Sequence, residues 1–271
     1  MPTVNAIPRL PVELLQQIID AAWNTPLSSN ERVTLMRTSP LVNSTWAALF
    51  DVASSRDVYI PSAAFFDHFI RRLRGEPVTV VPAPSFLGGL LDRFRKPSKP
   101  AFAPTRSPNL ACESITILLA NPDVHPDKNG RIRLPMGAVL DELLETLDAR
   151  SLAPNLRRLS IEYVDAGFDD VFQRVGLAAL PPQITHLDLR YSFSPEMPSW
   201  LTESLRGKQE KQILRTIGWD AQSITRLSIV GAGENTIQDA LAACPNTELL
   251  EVDGCETQLR PAVLIASFHH A

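Results

Sequence analysis

A short apolar template recurs through the second half of this 271-residue chain and restricts its fold more than any other feature. Most copies begin with a polar and an apolar residue, and then place Leu and a branched apolar residue at alternate positions. Alternation with a period of two is typical of a strand that buries one face. The copies lie at 155–161, 183–189, 223–229 and 246–252, with a weaker one at 114–120. They predict similar strands lying side by side.

Helix-like stretches separate these strands, at 136–149, 169–180, 199–217 and 236–244. A strand followed by a helix, repeated along the chain, returns each strand parallel to the one before it. The sequence therefore predicts an α/β fold with a parallel sheet and its crossover helices on one side.

The spacing of one leucine in each copy indicates the kind of repeat. Leu159 and Leu187 are 28 residues apart, and Leu227 and Leu250 are 23 apart. Both steps fall in the range of leucine-rich repeats, while the longer steps from Leu118 and from Leu187 leave room for extra helix or loop. Residues 111–271 thus resemble an irregular leucine-rich-repeat solenoid, a right-handed α/β coil, without the regular Asn after each strand. An unrelated α/β domain with a parallel sheet is the alternative.

The template also predicts a binding face. If the Leu and branched positions point into the core, the residues between them point out of the other face of the sheet. In parallel register they form three rows that carry charges of both signs, which suits polar recognition of a protein substrate. A plain solvated face is the alternative. The candidate substrate-binding residues are Arg158, Ser160, Glu162, His186, Asp188, Arg190, Arg226, Ser228, Glu251 and Asp253.

A small helical unit is predicted at the N-terminus. Pro11 suits the first turn of a helix, and Glu13 suits the positive end of the helix dipole. A second apolar series at 33–49 predicts one or two short helices that fold back on the first. A unit of this size holds little core alone, so part of its apolar surface is expected to be buried on another body. The first helix carries one apolar stripe: Leu14, Leu15, Ile18, Ile19 and Ala22.

This unit resembles an F-box, and within that family the F-box-like proteins of mushroom-forming fungi. The resemblance rests on LPVELLQQII at 10–19, LVNSTW at 41–46 and SRDVYIP at 55–61. The chain departs from the family in a longer loop at 24–31 and in Asn43, where many members have Cys. The resemblance implies docking to a Skp-type adaptor of a cullin-based ubiquitin ligase, and a helical subdomain without a partner is the alternative. It assigns adaptor contact to Leu10, Pro11, Leu14, Leu15, Ile18, Leu41, Val42 and Trp46.

Prolines and basic residues concentrate between 81 and 108, where regular hydrogen bonding is blocked at many positions. This composition predicts a linker, and hence three parts: an F-box-like domain at 1–75, a Pro/basic linker at 76–110 and a repeat domain at 111–271. The repeat region carries fourteen basic and twenty-two acidic side chains. A surface this acidic is unsuited to phosphate backbones, so no nucleic acid is expected as a partner.

Signals of catalysis are weak. Gly231-Ala232-Gly233 follows a strand and precedes a helix, which imitates a dinucleotide-binding turn. The third glycine of that motif is replaced by Thr236, so an ordinary repeat turn is the preferred interpretation. The histidines show no metal-ligand spacing with cysteines. We therefore expect no catalytic, cofactor or metal site and no enzymatic activity.

Composition favours an intracellular protein, cytoplasmic or nuclear. No apolar run is long enough to span a membrane, and the start lacks a secretory pattern. Cys112, Cys244 and Cys255 are far apart, which indicates reduced thiols. With the resemblances, the sequence predicts the substrate-recognition subunit of an SCF-type ubiquitin ligase, partnered by a Skp-type adaptor, the cullin core and an unknown protein substrate. The alternative is a non-catalytic leucine-rich-repeat scaffold outside any ligase.

Overall fold

A computed structural model describes residues 10–74, 111–120, 136–149, 152–165, 180–193, 199 and 221–259. The first part is helical: α1 spans Val12–Asn24, α2 Ser29–Thr38 and α3 Ser44–Arg56, with a 3-10 turn at Ser39–Leu41. Helix α1 and the 3-10 turn both pack on α3. The prediction that short helices fold back on the first is confirmed.

Within the described residues, seven strands form one open sheet in the order in which they follow along the chain. Strands β1 to β6 are parallel, and β7 is antiparallel to β6. Together with six described α-helices this is an α/β fold, as predicted. The strands are β1 Asp57–Ile60, β2 Ser114–Ala120, β3 Arg158–Val164, β4 His186–Ser192, β5 Arg226–Val230, β6 Leu249–Val252 and β7 Cys255–Gln258.

The larger core lies on one face of this sheet, where the alternate apolar positions of the template point. Leu159, Leu187 and Leu227 are fully buried there. Three helices contribute to the same core: α4 (Ala63–Leu73), α5 (Met136–Ala149) and α6 (Glu234–Ala243). Leu159, Leu187 and Leu227 are therefore core residues, as the period of two predicts. The assignment of Leu118 to the same series is wrong. In the register of β2 and β3 Leu118 lies opposite Glu162, on the other face of the sheet, and Ile115 takes the position opposite Leu159.

A smaller core joins the N-terminal helices to the opposite face of the sheet. Ile19 and Trp23 of α1 pack with Phe50 and Ala53 of α3 against Tyr59 of β1. Leu118 of β2 packs at its margin. The helical unit thus covers the face of β1 and β2, and the same face of β3 to β6 continues beyond it.

Helix prediction succeeded where periodicity was clear. The helix predicted at 136–149 has the bounds of α5, and the one predicted at 236–244 begins two residues earlier, at Glu234. The loop predicted at 24–31 is wrong in part, because α2 begins at Ser29. There Ser28 and Glu31 form a reciprocal capping box, which starts the helix early. The helices predicted at 169–180 and 199–217 lie outside the described residues, apart from their terminal positions Leu180 and Ser199.

Three elements lacked a prediction. Strand β1 coincides with the family-like segment at 55–61, and α4 carries Phe66, Phe69, Ile70 and Leu73 at helical spacing. Strand β7 follows a two-residue turn at Asp253-Gly254, whose φ angles of 48° and 84° suit a tight hairpin. Because β1 pairs with β2, one sheet joins residues on both sides of the predicted linker. The linker predicted at 76–110 lies outside the described residues.

Candidate functional site

The residues that the F-box resemblance assigns to adaptor contact lie mainly on the outside of the helical unit. Leu14 and Ile18 of α1 are 45% and 46% exposed, and Leu41 of the 3-10 turn is 81% exposed. Leu10 and Val42 are also more than half exposed. Apolar side chains this open contribute little to the protein's own core. We call these five residues the exposed apolar set.

The amphipathic pattern of α1 explains why the set is exposed. Consecutive residues of a helix point about 100° apart, so Ile18 faces solvent while Ile19 is 1% exposed. The indole N–H of Trp23 donates to the backbone carbonyl of Asp57 over 2.9 Å, and its ring meets Phe50 edge-on at 5.3 Å between centroids. These contacts fix the rotation of α1, and so hold Leu14 and Ile18 outward.

The segment before α3 presents Leu41 and Val42. Pro40 lies in the 3-10 turn, and the side chain of Asn43 caps α3 by accepting a hydrogen bond from the Trp46 backbone N–H over 2.8 Å. In the sequence Asn43 is notable only as a departure from the family, so its capping role was missed. A polar residue three positions before Trp46 is the signal that would have found it.

The remaining assigned residues are less open. Pro11 is the exposed N-cap of α1, and its carbonyl accepts from the N–H groups of Leu14 and Leu15. Leu15 and Trp46 are half-buried, and Trp46 packs against the smaller core. The indole N–H of Trp46 is buried without a hydrogen-bond partner among the described residues. Trp46 therefore contributes more to packing between the helices than to an exposed contact surface.

The three predicted rows form in the parallel sheet. The first row is Arg158, His186, Arg226 and Leu249; the second is Ser160, Asp188, Ser228 and Glu251; the third is Glu162, Arg190 and Val230. Asp253, predicted to extend the third row, lies beyond the end of β6 in the hairpin turn. Its carboxylate accepts from the backbone N–H of Gly231 over 2.8 Å. We call the outward side of these rows the ladder face.

The second row is less accessible than predicted. Asp188 is 3% exposed and Ser160 is 7% exposed. Both the Ser160 hydroxyl, over 2.7 Å, and the guanidinium Nε of Arg158 donate to the same carboxylate oxygen of Asp188. A buried carboxylate needs such partners, since an unpaired buried charge is costly. The prediction that Ser160 and Asp188 are open to a substrate is wrong, because they pair with each other and with Arg158.

The third row connects the ladder face to the helical unit. The Tyr59 hydroxyl lies 3.5 Å from a carboxylate oxygen of Glu162, whose other oxygen is 4.0 Å from Arg190. Arg32 of α2 lies over the rings of Trp23 and Tyr59, at 5.1 and 5.2 Å from the centroids. Burial is the main reason that the pKa of Tyr59 is raised. Contacts through Tyr59 thus connect the helical unit to the third row of the ladder face.

A cavity of about 470 Å³ opens at the start of the first row. Its charged lining consists of Arg157, Arg158, Arg226, His186, Asp57 and Glu113. The pKa of His186 is lowered, first by partial burial and then by the positive charges of Arg226 and Arg158. Arg157, one residue before β3, was not among the predicted residues.

A second cavity, of about 410 Å³, lies between the N-terminal helices and α4. Phe50, Phe65, Phe69 and Met36 supply much of its apolar lining. At its rim Arg72 binds both carboxylate oxygens of Asp51, over 2.8 and 2.9 Å. This cavity is an apolar space between packed elements, closed on one side by a bidentate ion pair.

The described residues contain no group of three or more His, Cys, Asp or Glu side chains that could hold a metal ion. Burial raises the pKa of Cys112 and of Cys244 to about 12, so both thiols are held protonated. Among the described helices, none is long and apolar enough to cross a membrane. Comparisons with protein-family models, with curated proteins and with solved structures give no match.

Proposed function

We propose that this chain is the substrate-recognition subunit of an SCF-type ubiquitin ligase. It would bind a Skp-type adaptor through the exposed apolar set and a protein substrate through the ladder face of a leucine-rich-repeat-like sheet. The observation that carries the proposal is the exposure of Leu14, Ile18 and Leu41, all assigned to adaptor contact by the F-box resemblance. Side chains of this kind gain most of their hydrophobic stabilisation only when a partner covers them.

The two faces of α1 support this proposal. Ile19 and Trp23 are buried in the smaller core of the protein itself. Leu14 and Ile18 on the same helix add nothing comparable to that core. Burying each on an adaptor would contribute about 1 to 2 kcal/mol, at roughly 25 cal/mol per Å² of apolar surface.

In this function the chain supplies proximity. Ubiquitin transfer would be catalysed by other subunits of the ligase, and the chain would hold the substrate close to them. The ladder face extends from the helical unit across β3 to β6, so the adaptor would bind the helical unit and the substrate would bind the sheet beside it. Mixed charge on that face favours a polar protein surface as the substrate.

The full chain should be tested for co-precipitation with a purified Skp-type adaptor. We expect the unmodified chain to bind, and Leu14→Lys or Leu41→Lys to reduce binding by at least about tenfold, because a buried unpaired ammonium opposes docking. Val52→Lys is the matched control. Val52 is an apolar residue of α3 that is 60% exposed and lies outside the exposed apolar set.

Thermal unfolding of each variant would show that the fold is intact. Failure of the folded, unmodified chain to bind the adaptor would remove the ligase proposal. An equal loss of binding in Val52→Lys would indicate non-specific adhesion of the helical unit.

A specific observation favours a second candidate, the scaffold outside any ligase. Trp23, Phe50 and Tyr59 form a core that joins α1 and α3 to the edge of the sheet. Helices placed in this way cover apolar sheet surface whether or not an adaptor binds. A scaffold would keep this core and would bind no adaptor, so the same co-precipitation separates the two candidates.

A further inference from the structure

We propose that Arg226 and His186, at the first row of the ladder face, form a binding site for the carboxylate of an acidic protein segment. This inference rests on the proposed use of the ladder face for partner binding, and it does not depend on adaptor docking. It adds the chemical class of the partner.

Arg226 is exposed and forms no ion pair with a described residue. It stands in register with His186 on β4, which stands in register with Arg158 on β3. Neighbouring strands lie about 4.8 Å apart, so the three side chains leave the sheet close together. Two guanidinium groups on either side of an imidazole, held in register by the sheet, are positioned to bind an anion together.

The other arginines that line this cavity already use some of their N–H groups in contacts within the protein. Arg157 donates to the backbone carbonyls of Pro154 and Leu156 over 2.9 and 3.0 Å. Arg158 uses its Nε for Asp188. Arg226 therefore has the largest free hydrogen-bonding capacity in the row, with a planar guanidinium that matches a carboxylate in a bidentate geometry.

The acids around the cavity set the charge of the ligand. Asp57 is bound by Arg56 over 2.9 Å and by the Ser114 hydroxyl over 2.8 Å, and Asp188 is bound by Arg158. Arg56 also contacts Asp20 over 3.5 Å. The four arginines Arg56, Arg157, Arg158 and Arg226 are therefore balanced by four carboxylates, those of Asp20, Asp57, Glu113 and Asp188. Because the site has no large surplus of positive charge, a single carboxylate suits it better than a doubly charged phosphate does.

His186 adds a directed donor. Its Nδ1 lies 2.8 Å from the Thr185 hydroxyl. A hydroxyl that donates to Nδ1 leaves the proton of the neutral ring on Nε2, where it can donate to an anion. Partial burial, and then the positive charges of Arg226 and Arg158, lower the pKa of His186 and favour the neutral ring.

The test uses the full chain and three labelled Gly-Ser peptides that carry glutamate, glutamine or phosphoserine at the same positions. Fluorescence anisotropy should detect the glutamate peptide and show little binding of the glutamine peptide. Arg226→Gln should weaken binding of the glutamate peptide about tenfold, as expected for loss of a charge-assisted bidentate contact. Arg71→Gln is the matched control, because Arg71 is an exposed arginine of α4, which packs on the opposite face of the sheet.

Equal binding of the glutamate and glutamine peptides would overturn the proposal, as would equal effects of the two substitutions. Binding of the phosphoserine peptide alone would contradict the carboxylate assignment. Adaptor co-precipitation by Arg226→Gln is expected to match the unmodified chain. A loss of peptide binding with adaptor binding intact, or the reverse, therefore shows which of the two proposals has failed.

Discussion

At the scale of single residues, Gly231 shows how closely the backbone is packed at the end of β5. Its φ is 73°, and a Cβ placed there would lie 2.3 Å from the backbone oxygen of Tyr191. A backbone oxygen cannot move aside cheaply, so Gly231→Ala is expected to lower the free energy of unfolding by about 2 to 4 kcal/mol. Chemical denaturation of the full chain measures this directly.

Two other glycines provide controls for that substitution. Gly254 has a φ of 84° with open space around it, so Gly254→Ala isolates the cost of the left-handed backbone. Gly233 has neither a positive φ nor a close neighbour, and Gly233→Ala should have the smallest effect. A loss at Gly231 no larger than that at Gly254 would contradict the close approach to Tyr191.

The three thiols are expected to react very differently. Cys112 and Cys244 are buried with pKa values raised to about 12, and a thiol must be ionised and accessible to be alkylated. Cys255 is exposed on β7. Iodoacetamide at pH 8 should therefore label Cys255 alone in the native protein, and all three in denaturant. Mass spectrometry of digested protein reads out each site, and rapid native labelling of Cys112 would contradict its burial.

At the scale of secondary structure, α1 should tolerate change on one face and not on the other. Ile19→Ala removes a fully buried side chain from the smaller core and is expected to cost about 2 to 4 kcal/mol of stability. Leu14→Ala alters a side chain that is 45% exposed and should cost less than about 1 kcal/mol. Thermal or urea unfolding compares them, and similar losses would mean that the exposed face is also packed.

The strands that repeat and the N-terminal helices with clear apolar periodicity were predicted, and β1, α4 and β7 were missed. The template identified β2 to β6 and the three rows, because alternation and spacing recur and support each other. Strand β1 has only four residues and follows α3 without a break, so it offered no separate pattern. The hairpin to β7 had a local signal in Asp253-Gly254, but all four residues of β7 are exposed and show no apolar alternation to support it.

The candidate sites were also predicted only in part. Strand period and register gave the direction of each side chain on the ladder face. They did not give the burial of Asp188 and Ser160, which arises from an ion pair with Arg158 on the neighbouring strand. On α1, the pattern placed Ile18 and Ile19 on one apolar stripe, whereas Ile18 is exposed and Ile19 is buried. Pairing and packing between elements are tertiary properties that a single-sequence pattern does not contain.

At the scale of the whole molecule, the sheet makes the N-terminal residues part of the main fold. Val58 and Ile60 of β1, with Phe66, Phe69 and Leu73 of α4, are buried in the larger core. Removing residues 1–75 therefore takes both an edge strand and a core helix from the sheet. The helical unit by itself, in contrast, contributes only to the smaller core on the opposite face.

This difference predicts unequal effects of two truncations. A chain of residues 76–271 should lose cooperative unfolding and bind a hydrophobic dye, because it exposes the surface that β1 and α4 cover. A chain of residues 57–271 keeps β1 and α4, and should unfold cooperatively at a lower temperature than the full chain. Calorimetry and dye fluorescence distinguish the outcomes. Cooperative unfolding of residues 76–271 would mean that β2 to β6 form a stable core without β1 and α4. The fold of the sheet would then not require β1.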